Sequence, residues 1–141
     1  MHEDEREALG RLAPLLSRSP RALKRYLNTY RLIKAVLSPD ELPQARFLLA
    51  VTIGRPEIGE NLLEAIRAEE DSDTLGAIVD KDAAATTWLH EALPRVLDWR
   101  GYTCADLRPV IAQVQRFVFR ASDLPEKEPL AVLLRRTDDV P

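Results

Sequence analysis

Between Arg18 and Lys34 the chain carries six basic side chains and no acidic one, within the run SRSPRALKRYLNTYRLIKAVL of residues 17–37, although its net charge is −3. On a helix, at about 100° per residue, Arg21, Lys24, Arg25, Asn28 and Arg31 fall within about 120° of one another. They lie opposite a stripe of Leu23, Tyr26, Tyr30 and Ile33. Basic groups gathered in this way bind anions, and a guanidinium fork matches two phosphate oxygens at once. A face that only meets water usually mixes signs, because acid–base pairs one turn apart support the helix; this face does not. Arg21 also falls in the first turn, where unpaired N–H groups and the helix dipole favour an anion and disfavour a cation. The cluster therefore calls for a partner, either acids elsewhere in the chain or an external anion. Internal acids are at hand: residues 57–82 hold nine of them against Arg67 and Lys81.

Other constellations come close to a chemistry and stop short. GRPEIGEN, with Gly54 and Gly59, has the glycine spacing of a phosphate loop, but Glu60 and Asn61 stand where a lysine and a hydroxyl are required. A carboxylate there repels phosphate, so that reading is rejected. In DSDTLGAIVDKD, residues Asp71, Asp73, Gly76, Ile78 and Asp82 match positions of an EF-hand calcium loop. Leu75 removes one ligand, and Asp82 is shorter than the bidentate glutamate such loops use. His2, His90 and Cys104 do not share metal-ligand spacing, and no Ser, Thr or Cys has an activating neighbour. His90 reads as a half-buried structural histidine, and the tryptophans and tyrosines read as core.

The elements that position these residues are all helical, without a run of period-two alternation. The pattern predicts helices over residues 3–16, from Ser19-Pro20 to about 37, 41–53, 56–70, 83–100 with a kink or break at Pro94, and from Thr103 through about 118. A polar link, EDSD, joins the fourth to the fifth, and a short LAVLLRR segment closes the chain. The fold class expected is all-α, a single bundle of six or seven helices: a helical domain over 1–122 with a loosely packed tail over 123–141. Leu23, Tyr30, Leu49, Leu62, Trp88, Leu93, Val96, Val114 and Phe117 are the expected core.

At 141 residues, 45% hydrophobic and 30% charged, the chain has the size and balance of one globular domain. A single cysteine rules out an internal disulfide framework and suits a reducing compartment. The acidic start MHEDERE lacks the apolar stretch of a secretory leader, and runs such as FLLAV are too short to span a bilayer. A soluble, cytoplasmic protein with no membrane segment is expected. Its acidity, with a pI near 5.5, makes nucleic acid an unlikely partner.

The motif SPRALKRYLNTYRLIK closely resembles the helix that follows the nucleotide-binding core in the KAP group of P-loop NTPases. Those proteins carry [NS]-P-R-x-[IL]-K-R-[FY]-x-N followed by Tyr, Arg and Leu. Ser19, Pro20, Arg21, Leu23, Lys24, Arg25, Tyr26 and Asn28 fill that pattern here. The resemblance covers about residues 10–37. Its placement is similar to the sensor-2 element of AAA+ and related ATPases, where an arginine in the first turn of a lid helix reaches the γ-phosphate. The resemblance implies that Arg21 is that arginine, with Lys24 and Arg25 as further phosphate or interface contacts. It also implies a P-loop NTPase core, in the same longer protein or in trans, that binds ATP and magnesium. Walker A and B motifs are absent from this chain, so the expectation is a non-catalytic lid or sensor region that does not turn over ATP alone. The alternative is a helical adaptor module whose basic helix pairs with an acidic surface or nucleic acid.

Overall fold

The computed structural model describes residues 3–16 and 19–122, and among them the chain forms seven α-helices and no strand. They are α1 (Glu3–Leu12), α2 (Pro20–Lys34), α3 (Leu42–Gly54), α4 (Pro56–Ala68), α5 (Leu75–Asp80), α6 (Ala83–Ala92) and α7 (Cys104–Ser122). The chain is an all-α helical bundle. No helix among the described residues is long and apolar enough to cross a membrane. The expected tail over 123–141, with its LAVLLRR segment, lies outside the described residues.

The hub is α3. Its sequence LPQARFLLAVTIG is apolar on every side, and Ala45 together with Phe47 through Ile53 is buried. A helix without a polar face belongs in the interior. It packs against α2, α4, α7 and the short 3-10 turn Ala13–Leu16. By contrast α7 is amphipathic. Cys104, Leu107, Val110, Ile111, Val114 and Val118 recur at helical spacing and are buried, while the alternate face meets water. Thr103 caps its start, the Oγ1 accepting from the Asp106 N–H at 3.2 Å.

Between Glu69 and Cys104 the structure departs from the expected pattern twice. Residues 75–80 form a helix where the sequence reads as an acidic link. Thr74 caps it by accepting from the Ala77 N–H at 3.2 Å, and Leu75, Ile78 and Val79 turn inward. The calcium-loop reading is lost with it, since a helix occupies the middle of the segment that would have to wrap the ion. The second departure is at Pro94: the predicted helix over 83–100 ends at Ala92. Proline at this point removes a donor and disfavours helical geometry for the residue before it; Leu93 accordingly sits at φ −128, ψ 59. The chain then runs irregularly to a single 3-10 turn, Asp98–Gly101. This turn delivers Trp99 into the core, stacked on Phe47 with ring centroids 5.0 Å apart.

The link 69–75 is fastened to the start of α7 by backbone hydrogen bonds. The Cys104 N–H donates to the Asp73 carbonyl at 2.9 Å, and the Leu75 N–H donates to the Tyr102 carbonyl at 2.7 Å. Arg108 completes the joint, donating to the Ile66 and Glu69 carbonyls at the end of α4 and to the Asp71 carboxylate. Those carbonyls have no partner within their own helix, so a guanidinium is a fitting cap.

Of the expected core, Tyr30, Leu49, Leu62, Leu93 and Val114 are buried, and Trp88, Val96 and Phe117 are half-buried against them. Leu23 is the exception at 41% exposed. It lies on the rim of the α2 stripe, about 55° around the helix from the centre set by Tyr26, Tyr30 and Ile33.

Candidate functional site

The first turn of α2 is built by Ser19 and Pro20. Ser19 is extended, at φ −81 and ψ 119, and its Oγ accepts from the Ala22 N–H at 3.3 Å. Pro20 occupies the first helical position, where its missing N–H costs nothing. No acid lies in this turn. Arg21, Lys24 and Arg31 are exposed and Asn28 is half-buried. Tyr26, Thr29, Tyr30 and Ile33 are buried on the other side.

The basic residues are not equivalent. Arg25 is half-buried against α7, and its Nη2 donates to the Val118 carbonyl at 3.3 Å. Burial lowers its pKa from the usual guanidinium value. At the far end of the helix, Lys34 is engaged by Glu5 of α1 at 2.7 Å. The same carboxylate accepts from the Tyr30 hydroxyl at 2.8 Å, and that hydroxyl accepts from Arg46 of α3 at 3.2 Å. Among the described residues, no ion pair reaches Lys24 or Arg31.

The acidic stretch 57–82 does not supply the partner. Asp71 pairs with Arg108, Asp80 with Arg100 at 2.8 Å, Glu69 with Lys81 at 3.7 Å, and Glu57 with Arg55 at 4.0 Å. Among the described residues, none of these acids contacts α2 as an ion pair. Asp71, Asp80, Glu69 and Glu57 are thus engaged outside α2.

The remaining candidates are accounted for locally. Cys104 is buried and its thiol is pushed up, chiefly by that burial, which makes it a poor nucleophile. His90 is exposed, not half-buried as the sequence suggested. It borders a depression of about 220 Å³ together with Asp80 and Arg100. The Arg100 guanidinium grips Asp80 through both oxygens, at 3.2 and 2.8 Å, and holds its pKa below the usual carboxylate value. Gly54 and Gly59 mark helix crossings, not a phosphate loop. A Cβ on Gly54 would meet the Leu15 carbonyl oxygen at 2.0 Å, and one on Gly59 would meet the Thr52 Cα at 2.7 Å. Among the described residues, no group of three His, Cys, Asp or Glu side chains could hold a metal ion. No family model, curated protein or solved structure matches this chain.

Proposed function

We propose that this chain is the non-catalytic helical lid or sensor region of a KAP-like P-loop NTPase, and that Arg21 reads the γ-phosphate of ATP bound in a separate core. The observation that carries the reading is the construction of the α2 start. A serine cap and a proline set the first turn, an exposed arginine follows at once, and the turn itself contains no acidic residue. Unpaired backbone N–H groups at this end favour the same anion that the guanidinium would grip. Lys24, exposed about 60° around the helix, extends the contact, and Arg25, tied to α7, links phosphate contact to the bundle. A cytoplasmic location suits this role and the single buried Cys104.

The test is a titration of the chain with MgATP, MgADP and inorganic tripolyphosphate, followed by backbone-amide NMR. Saturable shifts are expected at the amides of Arg21 to Lys24, with ATP and tripolyphosphate binding more tightly than ADP. A charge-assisted contact is worth about 1.5–3 kcal/mol, so Arg21→Ala weakens this binding by about ten- to a hundredfold. Shifts that avoid the α2 start, or an unchanged response in Arg21→Ala, overturn the reading.

A second reading rests on Leu32, exposed at 40% within the basic face of the same helix. Apolar side chains flanking basic ones suit docking onto an acidic protein surface, as an adaptor would. Binding of an acidic amphipathic peptide that Leu32→Ser abolishes and tripolyphosphate does not displace would favour that adaptor.

A further inference from the structure

A depression of about 130 Å³ lies between α1, α3 and the irregular stretch that follows Pro94. Its apolar walls include the stacked pair Phe47 and Trp99, and its polar groups are Arg11, Arg46, Asp98 and Tyr102. Arg46 is the unexplained member. The residue is half-buried, and its guanidinium donates to the Tyr30 hydroxyl at 3.2 Å and lies 6.0 Å from the centroid of that ring. Among the described residues, no carboxylate pairs with it. Withdrawing a guanidinium from water is costly unless an opposite charge meets it. Arg11, also on the wall, is held only by Glu7 at 3.5 Å, and both side chains are more than half exposed. Such a contact is weak and easily exchanged. Tyr102 is half-buried, and burial together with the nearby Asp98 keeps its hydroxyl protonated and able to donate. Two guanidiniums and the one carboxylate of Asp98 line the depression, with Glu7 beside Arg11 as an exchangeable second carboxylate.

We propose that this depression binds a small single-ring aromatic carboxylate, with its ring against Phe47 and Trp99 and its carboxylate met by Arg46 and Arg11. The size suits the body of the ligand. A cavity of about 150 Å³ accommodates benzene, so an open depression of about 130 Å³ takes about one ring, and the rest of a larger ligand would extend into solvent. The charge sets its head, because the planar guanidinium fork matches a carboxylate in two parallel hydrogen bonds. Phe47 and Trp99 are buried and stacked on each other, and Arg100 lies over the Trp99 ring, so they offer ring edges, which favour an edge-on aromatic ring over an aliphatic chain. This site shares no residue with the first turn of α2, so either proposal can fail without the other.

The probe is sodium benzoate, titrated into a Trp88→Phe chain in which Trp99 is the sole tryptophan, with Trp99 emission as the readout. A saturable change is expected with benzoate. Acetate and benzyl alcohol at matched ionic strength should bind at least about tenfold more weakly, since each lacks one half of the recognition. Arg46→Gln and Arg11→Gln should each weaken benzoate about tenfold, the loss of one charge-assisted contact. Arg46 also supports Tyr30, so if circular dichroism shows Arg46→Gln unfolded, the exposed Arg11→Gln decides. Benzyl alcohol binding as well as benzoate, acetate doing the same, or the absence of saturation up to the solubility of benzoate each overturns the proposal.

Discussion

Arg21 and Arg25 are separated by one turn of α2, and their surroundings divide their work. Arg21 faces solvent at the helix start, whereas the stem of Arg25 is packed against α7 with its Nη2 on the Val118 carbonyl. Long basic side chains stabilise through such stems as well as through charge. Arg25→Ala should therefore cost about 1–2 kcal/mol, combining one charged hydrogen bond to a carbonyl with lost packing. Arg21→Ala should stay within about 1 kcal/mol, because an exposed arginine contributes little whatever ion pairs it makes. Urea midpoints of the two variants check the order, and the reverse order would make Arg21 a structural residue. The sequence showed the basic face and its Ser-Pro start directly, since both are local patterns. It could not separate Arg25 from Arg21, because the Val118 carbonyl lies 93 residues away along the chain. The pocket around Arg46 was hidden for the same reason. Its walls come from α1, α3 and the turn at Trp99, which no spacing within one helix brings together.

At the scale of elements, the helix starts marked by Ser19-Pro20, Pro56 and Thr103 were legible because caps and prolines act on their own neighbours. The stretch 69–82 was not. Its acids suggest a solvated link, yet Thr74 caps a six-residue helix whose Leu75, Ile78 and Val79 face the core. Two buried turns at helical spacing were the available signal, outweighed by the acids around them. GRPEIGEN spans the junction of α3 and α4, and its glycines have a packing reason that a sequence does not disclose. Gly54, at the end of α3, touches the Leu15 carbonyl and Trp88; Gly10, in α1, has open space where its Cβ would be. The same substitution should therefore have opposite signs at the two sites. Gly54→Ala forces backbone apart and should destabilise by about 1–3 kcal/mol or more. Gly10→Ala should stabilise by up to about 1 kcal/mol, from helix propensity and a less flexible unfolded chain. Thermal unfolding of both variants reads the signs. A neutral Gly54→Ala would mean that the contact between α3 and the turn before α2 yields easily.

The whole molecule closes around α3, and the three tyrosines of the chain report on that closure. Tyr26 is buried, its hydroxyl donating to the Arg46 carbonyl at 3.2 Å, and burial is the main reason its pKa is raised well above the ordinary phenol value. Burial raises Tyr30 as well, reinforced by its hydrogen bond to Glu5 and opposed by Arg46. In Tyr102, burial and then Asp98 act in the same upward direction, again against Arg46. Each folded-state value lies above the unfolded one, near 10. Above that pH the native state holds more protons than the unfolded chain, so stability falls as pH rises; below it the contribution is fully present. The limiting slope is about 1.4 kcal/mol per pH unit for each tyrosine, a large fraction of a total stability of about 5–15 kcal/mol. Cys104, also raised by burial, adds to the fall from slightly lower pH. Tyr26→Phe separates these contributions. It forfeits one hydrogen bond, about 1 kcal/mol at neutral pH, but it removes one tyrosine from the alkaline limb. Urea midpoints measured across rising pH should therefore fall less steeply in the variant than in the parent. Tyrosinate absorbance should rise in step with loss of the helical dichroism signal. Ionisation of all three tyrosines with a midpoint near 10, while the helices remain intact, would show that the core around α3 admits water where the structure closes it.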